Sequence, residues 1–423
     1  MSPGAVEFPE RLYFLHVDKC GGSSIRLLLD SAVAQCEVFP GGDLADLPAS
    51  ADQGGISQFR LYRGHFGAAL FEHLTVRPEV VIWLRDPVAR LRSQFGFWKQ
   101  MRHLAEDVCF SDWLQARKKP SLLRGIFYDL DSTIWPDQSG PLMRRAMDLI
   151  SSCRVVGLLE RQEESVQLLC YRLGLLPPPR PPRINAGRHP AAKTALTAEE
   201  KALAEDFSRE DREIYAHAEA VFLSQMEQMD RELWGDSKIR GIQARQAELE
   251  RRYWERCSWV RRSVLDYPFD QPLVGWGWHQ REQSPGDFPA CFRWTGAEEE
   301  SVIWLPLDRT QPLEIEVETA NSLSPGDPPF FLAVDGEVLD LRRVDRSKGS
   351  AVAGRWMANL PEAAVPLVRP ASALSFRAKA CACPSDLDAS SLDSRQLGVA
   401  VRSIRVRRWK RRKGLIRALF GSG

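Results

Sequence analysis

No apolar run in this chain approaches the roughly eighteen residues of a membrane-spanning helix, and no basic segment leading into an apolar core opens it. Neither a spanning helix nor a secretory signal is expected, which points to the cytoplasm. Metal-ligand spacing is missing among the nine cysteines: Cys381 and Cys383 stand too close together for a zinc knuckle, and no paired histidines accompany them. An odd, scattered set of this kind is expected to stay reduced and buried. Net charge is also nearly absent, at +1. The nine Lys and Arg between residues 401 and 417 leave the rest of the chain at −8, so the basicity is local and gives no case for a specific nucleic-acid partner. What is present is length and core material. With 423 residues, 44% of them hydrophobic, the chain can build two or three packed domains.

Residues 12–17 form a short apolar run rich in β-formers, followed at once by Gly21 and Gly22 and then by Ser23 and Ser24. The glycines allow a tight turn, and the serines are candidate N-caps for a helix. Free N–H groups at such a helix start form an anion site, to which Lys19 adds an ammonium. The order is not that of the nucleotide-triphosphatase loop, because the lysine precedes the glycines. An ordinary strand-to-helix turn with a solvated lysine is the alternative.

Residues 80–84 repeat the pattern: a strand, then Asp86 as a candidate N-cap and Pro87 at the first helical position. Arg85 ends the strand at the sheet's carboxyl edge, where open α/β sheets bind ligands. Ser93, eight residues on, stands about two helical turns away. A guanidinium and a hydroxyl so placed can grip a second phosphate.

Together the two segments resemble the sulfotransferases that use 3′-phosphoadenosine 5′-phosphosulfate, particularly the carbohydrate-modifying branch. Its signatures H-x-x-K-x-G-G-S/T-S/T and R-D-P-x-x-R-x-x-S fit from His16 and from Arg85 with their internal spacing intact. The resemblance covers about the first half of the chain, continuing through residues 155–169 and 183–188. It implies an α/β fold, a three-layer α/β/α domain with a parallel sheet of the P-loop nucleotide-binding type. Lys19, Gly21, Gly22, Ser23 and Ser24 would then hold the 5′-phosphosulfate, and Arg85 and Ser93 the 3′-phosphate. A basic loop near the nucleotide would contribute Arg183 and Arg188. His65, after Gly64, would be the catalytic base, with His16 or Glu72 next in line; Lys19 would also act in catalysis, and no metal is required. Asp18 departs from the pattern, which has proline or another uncharged residue there. A carboxylate beside an anion site is unfavourable unless it points away or pairs with a cation.

The remaining chain divides by composition. The first domain is expected over residues 1–224, ending in a helix that starts at a Thr197–Glu200 capping box and carries a stripe of Phe207, Ile214, Tyr215, Ala218 and Phe222. Residues 225–262 are highly charged and read as a helical spacer. Over residues 263–409 the periodicity changes to alternation, with Asp335 and Gly336 as a hairpin turn, which argues for a β-sandwich. Aromatics at Trp276, Trp278, Phe292 and Trp294 either stack on sugars or fill this sandwich. Residues 410–423 are a basic amphipathic tail with three open readings: peripheral contact with an anionic membrane, a solvated end, or non-specific polyanion binding.

The function expected is transfer of a sulfuryl group from 3′-phosphoadenosine 5′-phosphosulfate to a carbohydrate hydroxyl. A kinase-like phosphotransferase and a non-catalytic polysaccharide-binding protein are the alternatives.

Overall fold

A computed structural model gives the structure of the chain. It describes residues 8–409 except 49–54, 117–121, 128–138, 183–193, 236–240, 284–290, 345–352, 365–367, 389 and 392. Arg183, Arg188 and the expected tail, residues 410–423, therefore lie outside the described residues. The chain divides into two compact units, Met1–Arg256 and Cys257–Gly423.

The first unit is built on four parallel strands, β1 (Leu12–Leu15), β2 (Leu61–Gly64), β3 (Glu79–Leu84) and β4 (Val155–Leu158), in the order β2-β1-β3-β4. Parallel strands covered on both faces read as continuous apolar runs, and β1, β2 and β4 are buried at every position. Helices α1 (Gly22–Ala32), α2 (Pro87–Gln100), α3 (Phe110–Gln115), α4 (Leu122–Ile126), α5 (Ser139–Ser151), α6 (Gln162–Leu173), α7 (Ala198–Phe207), α8 (Arg209–Trp234) and α9 (Ile242–Arg256) complete the unit. Asp86 caps α2 as expected, accepting from the Ala89 N–H at 2.8 Å, with Pro87 in the first turn. Thr197 and Glu200 form the capping box of α7.

Two boundaries differ from expectation. The helix expected from residue 197 to 223 breaks at Ser208, whose hydroxyl donates back to the Ala204 carbonyl at 2.7 Å, so Phe207 packs in a separate cluster with Phe95 and Trp113. The spacer expected over residues 225–262 is not one. Helix α8 runs through residue 224 and buries Met226, Met229 and Leu233 in the same core as β1, while α9 adds Leu249. The charges that suggested solvation are paired inside: Arg245 Nε donates to Asp230 Oδ1 at 2.7 Å and Nη2 to Oδ2 at 3.0 Å, both residues being buried.

The second unit holds two antiparallel sheets and is β-sandwich-like. Its strands are β5 (Leu265–Pro268), β6 (Gly275–Trp276), β7 (Trp278–Gln283), β8 (Cys291–Thr295), β9 (Ser301–Leu305), β10 (Leu313–Ser322), β11 (Phe330–Val334), β12 (Glu337–Leu339), β13 (Arg342–Arg343), β14 (Gly354–Leu360), β15 (Ser372–Ala378) and β16 (Val399–Arg408). One sheet runs β13-β14-β10-β16-β8-β7 with β5 on β16, the other β12-β11-β15-β9-β6. Strand β10 shows why: Leu313, Ile315 and Val317 face the shared core, while Glu316 faces outward to Arg405 at 3.1 Å. Asp335 and Gly336, both with positive φ, make the β11–β12 hairpin. Trp278 is buried in the core shared by the two sheets, Phe292 and Trp294 are buried in a smaller cluster with Leu397 and Ala400, and Trp276 is half-buried. All nine cysteines are free thiols, but Cys36, Cys109 and Cys381 are exposed rather than buried. Among the described residues no helix is long and apolar enough to cross a membrane.

Candidate functional site

Strand β1 connects outward to β2 on one flank and β3 to β4 on the other. Oppositely directed connections leave a crevice at the carboxyl ends of β1 and β3, which is where open α/β sheets take ligands. Both signature segments leave the sheet at this point.

In the loop after β1 two residues are left-handed, Lys19 at φ 63° and Gly21 at φ 80°. Gly21 adopts this freely, whereas a sparsely populated conformation at Lys19 costs about 1–3 kcal/mol. Helix α1 starts at Gly22, so its N-cap is Gly21, not Ser23 or Ser24. The sharp left-handed turn starts the helix before the serines, which lie in its first turn. No acidic residue occupies that turn, so the positive end of α1 is not offset by a carboxylate of its own. Of the two helix starts at the crevice, that of α2 is already capped by Asp86.

Gly22 lies against the His16 ring: a Cβ there would fall 2.1 Å from His16 Cδ2 and Nε2. That ring stacks between Phe14 and His65, at centroid distances of 5.3 and 4.3 Å, and has little room to move. Gly22→Ala is therefore expected to lose about 1–3 kcal/mol of stability and to disturb His65 with it. Urea denaturation checks this, and an unchanged midpoint would contradict the close packing.

Lys19 and Arg85 meet through the backbone, Arg85 Nη1 donating to the Lys19 carbonyl at 3.4 Å. The Lys19 ammonium lies 3.8 Å over the centre of the Phe97 ring. Burial holds the Lys19 pKa below its ordinary value, Asp18 opposing the shift. Burial likewise lowers that of Arg85, opposed first by Glu160. Glu160 also accepts from the Asp86 N–H at 3.0 Å and from the Tyr215 hydroxyl at 2.9 Å, fixing the start of α2. Ser93 is half-buried one turn before Phe97, and residues four apart share a helix face, so it belongs to the face turned towards the Lys19 loop.

His65 follows β2. Its backbone N–H donates to the Gly42 carbonyl at 2.7 Å, and its ring Nδ1 lies 2.8 Å from the His16 carbonyl. Its Nε2 lies 3.4 Å from Asp18 Oδ1. The acid that departs from the expected pattern thus faces a ring nitrogen, with which it forms an ion pair when the ring is protonated. His16 is held far from its ordinary pKa, down to about 3, by burial first and by His65 second.

The structure therefore gathers Lys19, Gly21, Gly22, Ser23, Ser24, His65 and Arg85 at one sheet edge, with Ser93 in the second turn of α2. Glu72 does not join them; it lines a separate cavity of about 440 Å³ with Phe71, Arg77, Phe127, Arg145 and Asp148. Sequence reasoning missed Phe97, which its spacing four residues after Ser93 could have revealed. It also missed Glu160 and the Asp18–His65 pair, for which no local signal exists.

No family model matches the chain, and no curated protein does. Among solved structures it is similar to a family 35 carbohydrate-binding module from Clostridium thermocellum. That likeness covers 34% of this chain and 98% of the module at 14% identity, with a TM-score of 0.23.

Proposed function

We propose that the first unit is a sulfotransferase moving a sulfuryl group from 3′-phosphoadenosine 5′-phosphosulfate to a carbohydrate hydroxyl. The observation that supports this is the meeting of two segments far apart in sequence at one crevice, where Arg85 bonds the Lys19 carbonyl beside a helix start that carries no acid. Anions of the donor's kind suit such a helix start and such cations.

In this reading His65 Nε2 takes the proton of the acceptor hydroxyl as its oxygen bonds to sulfur and the sulfur–oxygen bond to the 5′-phosphate breaks. Lys19 and the N–H groups of α1 stabilise charge growing on the sulfuryl and phosphate oxygens. Arg85 and Ser93 hold the 3′-phosphate. The carbohydrate acceptor rests on the family resemblance.

Calorimetry with two nucleotides tests the reading. Arg85→Ala is expected to weaken adenosine 3′,5′-bisphosphate by about 10- to 150-fold, a loss of about 1.5–3 kcal/mol, and adenosine 5′-phosphate much less. Equal weakening would contradict the placement of the 3′-phosphate. Lys19→Ala is expected to remove most sulfate transfer from a protein that still folds, and wild-type turnover in that variant would sink the assignment.

A further inference from the structure

His65 is held from two sides, and the two contacts are not equivalent. A carbonyl can only accept, so the 2.8 Å contact with the His16 oxygen assigns the proton to Nδ1 and leaves Nε2 as the proton-accepting atom of the neutral ring. Nε2 faces the Asp18 carboxylate at 3.4 Å. The stacked His16 ring, kept neutral by its burial, supplies no competing positive charge. Asp18 is therefore turned to the very atom that would meet an acceptor.

Two properties come from that position. The carboxylate balances the imidazolium formed when Nε2 takes a proton, and by pairing with that cation it holds the ring's orientation. It also acts on the acceptor: an oxygen within about 2.6–3.2 Å of Nε2 stands a few ångströms from a fixed negative charge. A second negative charge beside the reacting oxygen is repelled there, although the Asp18 side chain is itself half-exposed. We propose that Asp18 is a positioning residue for His65 and that it restricts the acceptor to an oxygen with no acid group beside it. The restriction rests on the sulfuryl-transfer reading; the positioning role does not.

The test uses the full chain as wild type, Asp18→Asn and Asp18→Ala. With 3′-phosphoadenosine 5′-phosphosulfate saturating, transfer is measured to methyl glucoside and to methyl glucuronoside. Asp18→Asn is expected to raise the glucuronoside-to-glucoside ratio of kcat/KM by at least about fivefold, with most of the change in KM. A ratio within about twofold of wild type, or a glucuronoside still at background in the variant, overturns the restriction. Positioning is read without turnover, by nitrogen NMR of the imidazole rings assigned with His65→Ala. The His65 ring signals are expected to shift and broaden in Asp18→Ala while those of His217, which bonds Ser151 ahead of the amino end of β4, stay in place. Unchanged His65 signals overturn the positioning role. Failure of the wild type to bind adenosine 3′,5′-bisphosphate overturns the sulfuryl-transfer reading and the restriction with it, and leaves the NMR result to decide the rest.

Discussion

A His65→Ala protein is expected to lose about 10²- to 10⁴-fold in sulfate transfer while binding adenosine 3′,5′-bisphosphate within about twofold of wild type. The separation follows from what the ring touches. His65 reaches the His16 carbonyl, the His16 ring and Asp18. The Lys19 ammonium is held over Phe97, and Arg85 bonds the Lys19 carbonyl. The end of β2 is fixed by its backbone rather than by the imidazole. The His65 N–H bonds the Gly42 carbonyl, and a Cβ on Gly64 would stand 2.3 Å from that same oxygen. The variant should therefore fold. His16 is a poor substitute, since burial lowers its pKa to about 3 and leaves it a weak base, and Glu72 lines a different cavity. Steady-state kinetics and calorimetry together give the answer. A rate near wild type would move the proton-accepting role to another group, and a parallel fall in bisphosphate affinity would put His65 on the donor side.

The largest expected loss of stability lies in the buried ion pair between α8 and α9. Arg245→Ala should cost about 3–5 kcal/mol, because it leaves the Asp230 carboxylate buried without its bidentate partner. Arg245 also stands 3.6 Å from Glu164 of α6, so the same change loosens α9 from two helices at once. Replacing both partners tests the cause. An Arg245→Leu, Asp230→Leu protein removes the uncompensated charge and is expected to recover at least about half of the loss. Urea denaturation midpoints measure both. A single variant that loses less than about 1 kcal/mol would show that Asp230 finds solvent or another cation.

Local chemistry was legible where partners are close in sequence. Asp86 and Pro87 opened α2, Thr197 and Glu200 opened α7, and alternation along β10 marked a strand with one buried face. Positions whose partners lie far along the chain were not legible. Charged residues 225–262 read as solvated because a sequence cannot show that Arg245 meets Asp230 and Glu164. Ser23 and Ser24 read as caps because the left-handed turn at Gly21, packed on Leu159 of another element, is not a local property. Asp18 read as a liability for the same reason: His65, which it faces, is 47 residues away. The signature residues themselves came together at the crevice because their segments begin at the carboxyl ends of neighbouring strands, a consequence of strand order.

The course of α8 also decides where this protein can be divided and still be inherited in pieces. A gene segment ending at codon 224 would encode a sheet stripped of Met226, Met229 and Leu233, with the apolar surface they cover left open to water. One ending at codon 256 carries that core whole, with Leu249 and the Arg245–Asp230 pair included. Recombination that shuffles the β-sandwich-like unit onto or off this chain is therefore tolerated at the junction after Arg256 and penalised on the charged stretch before it.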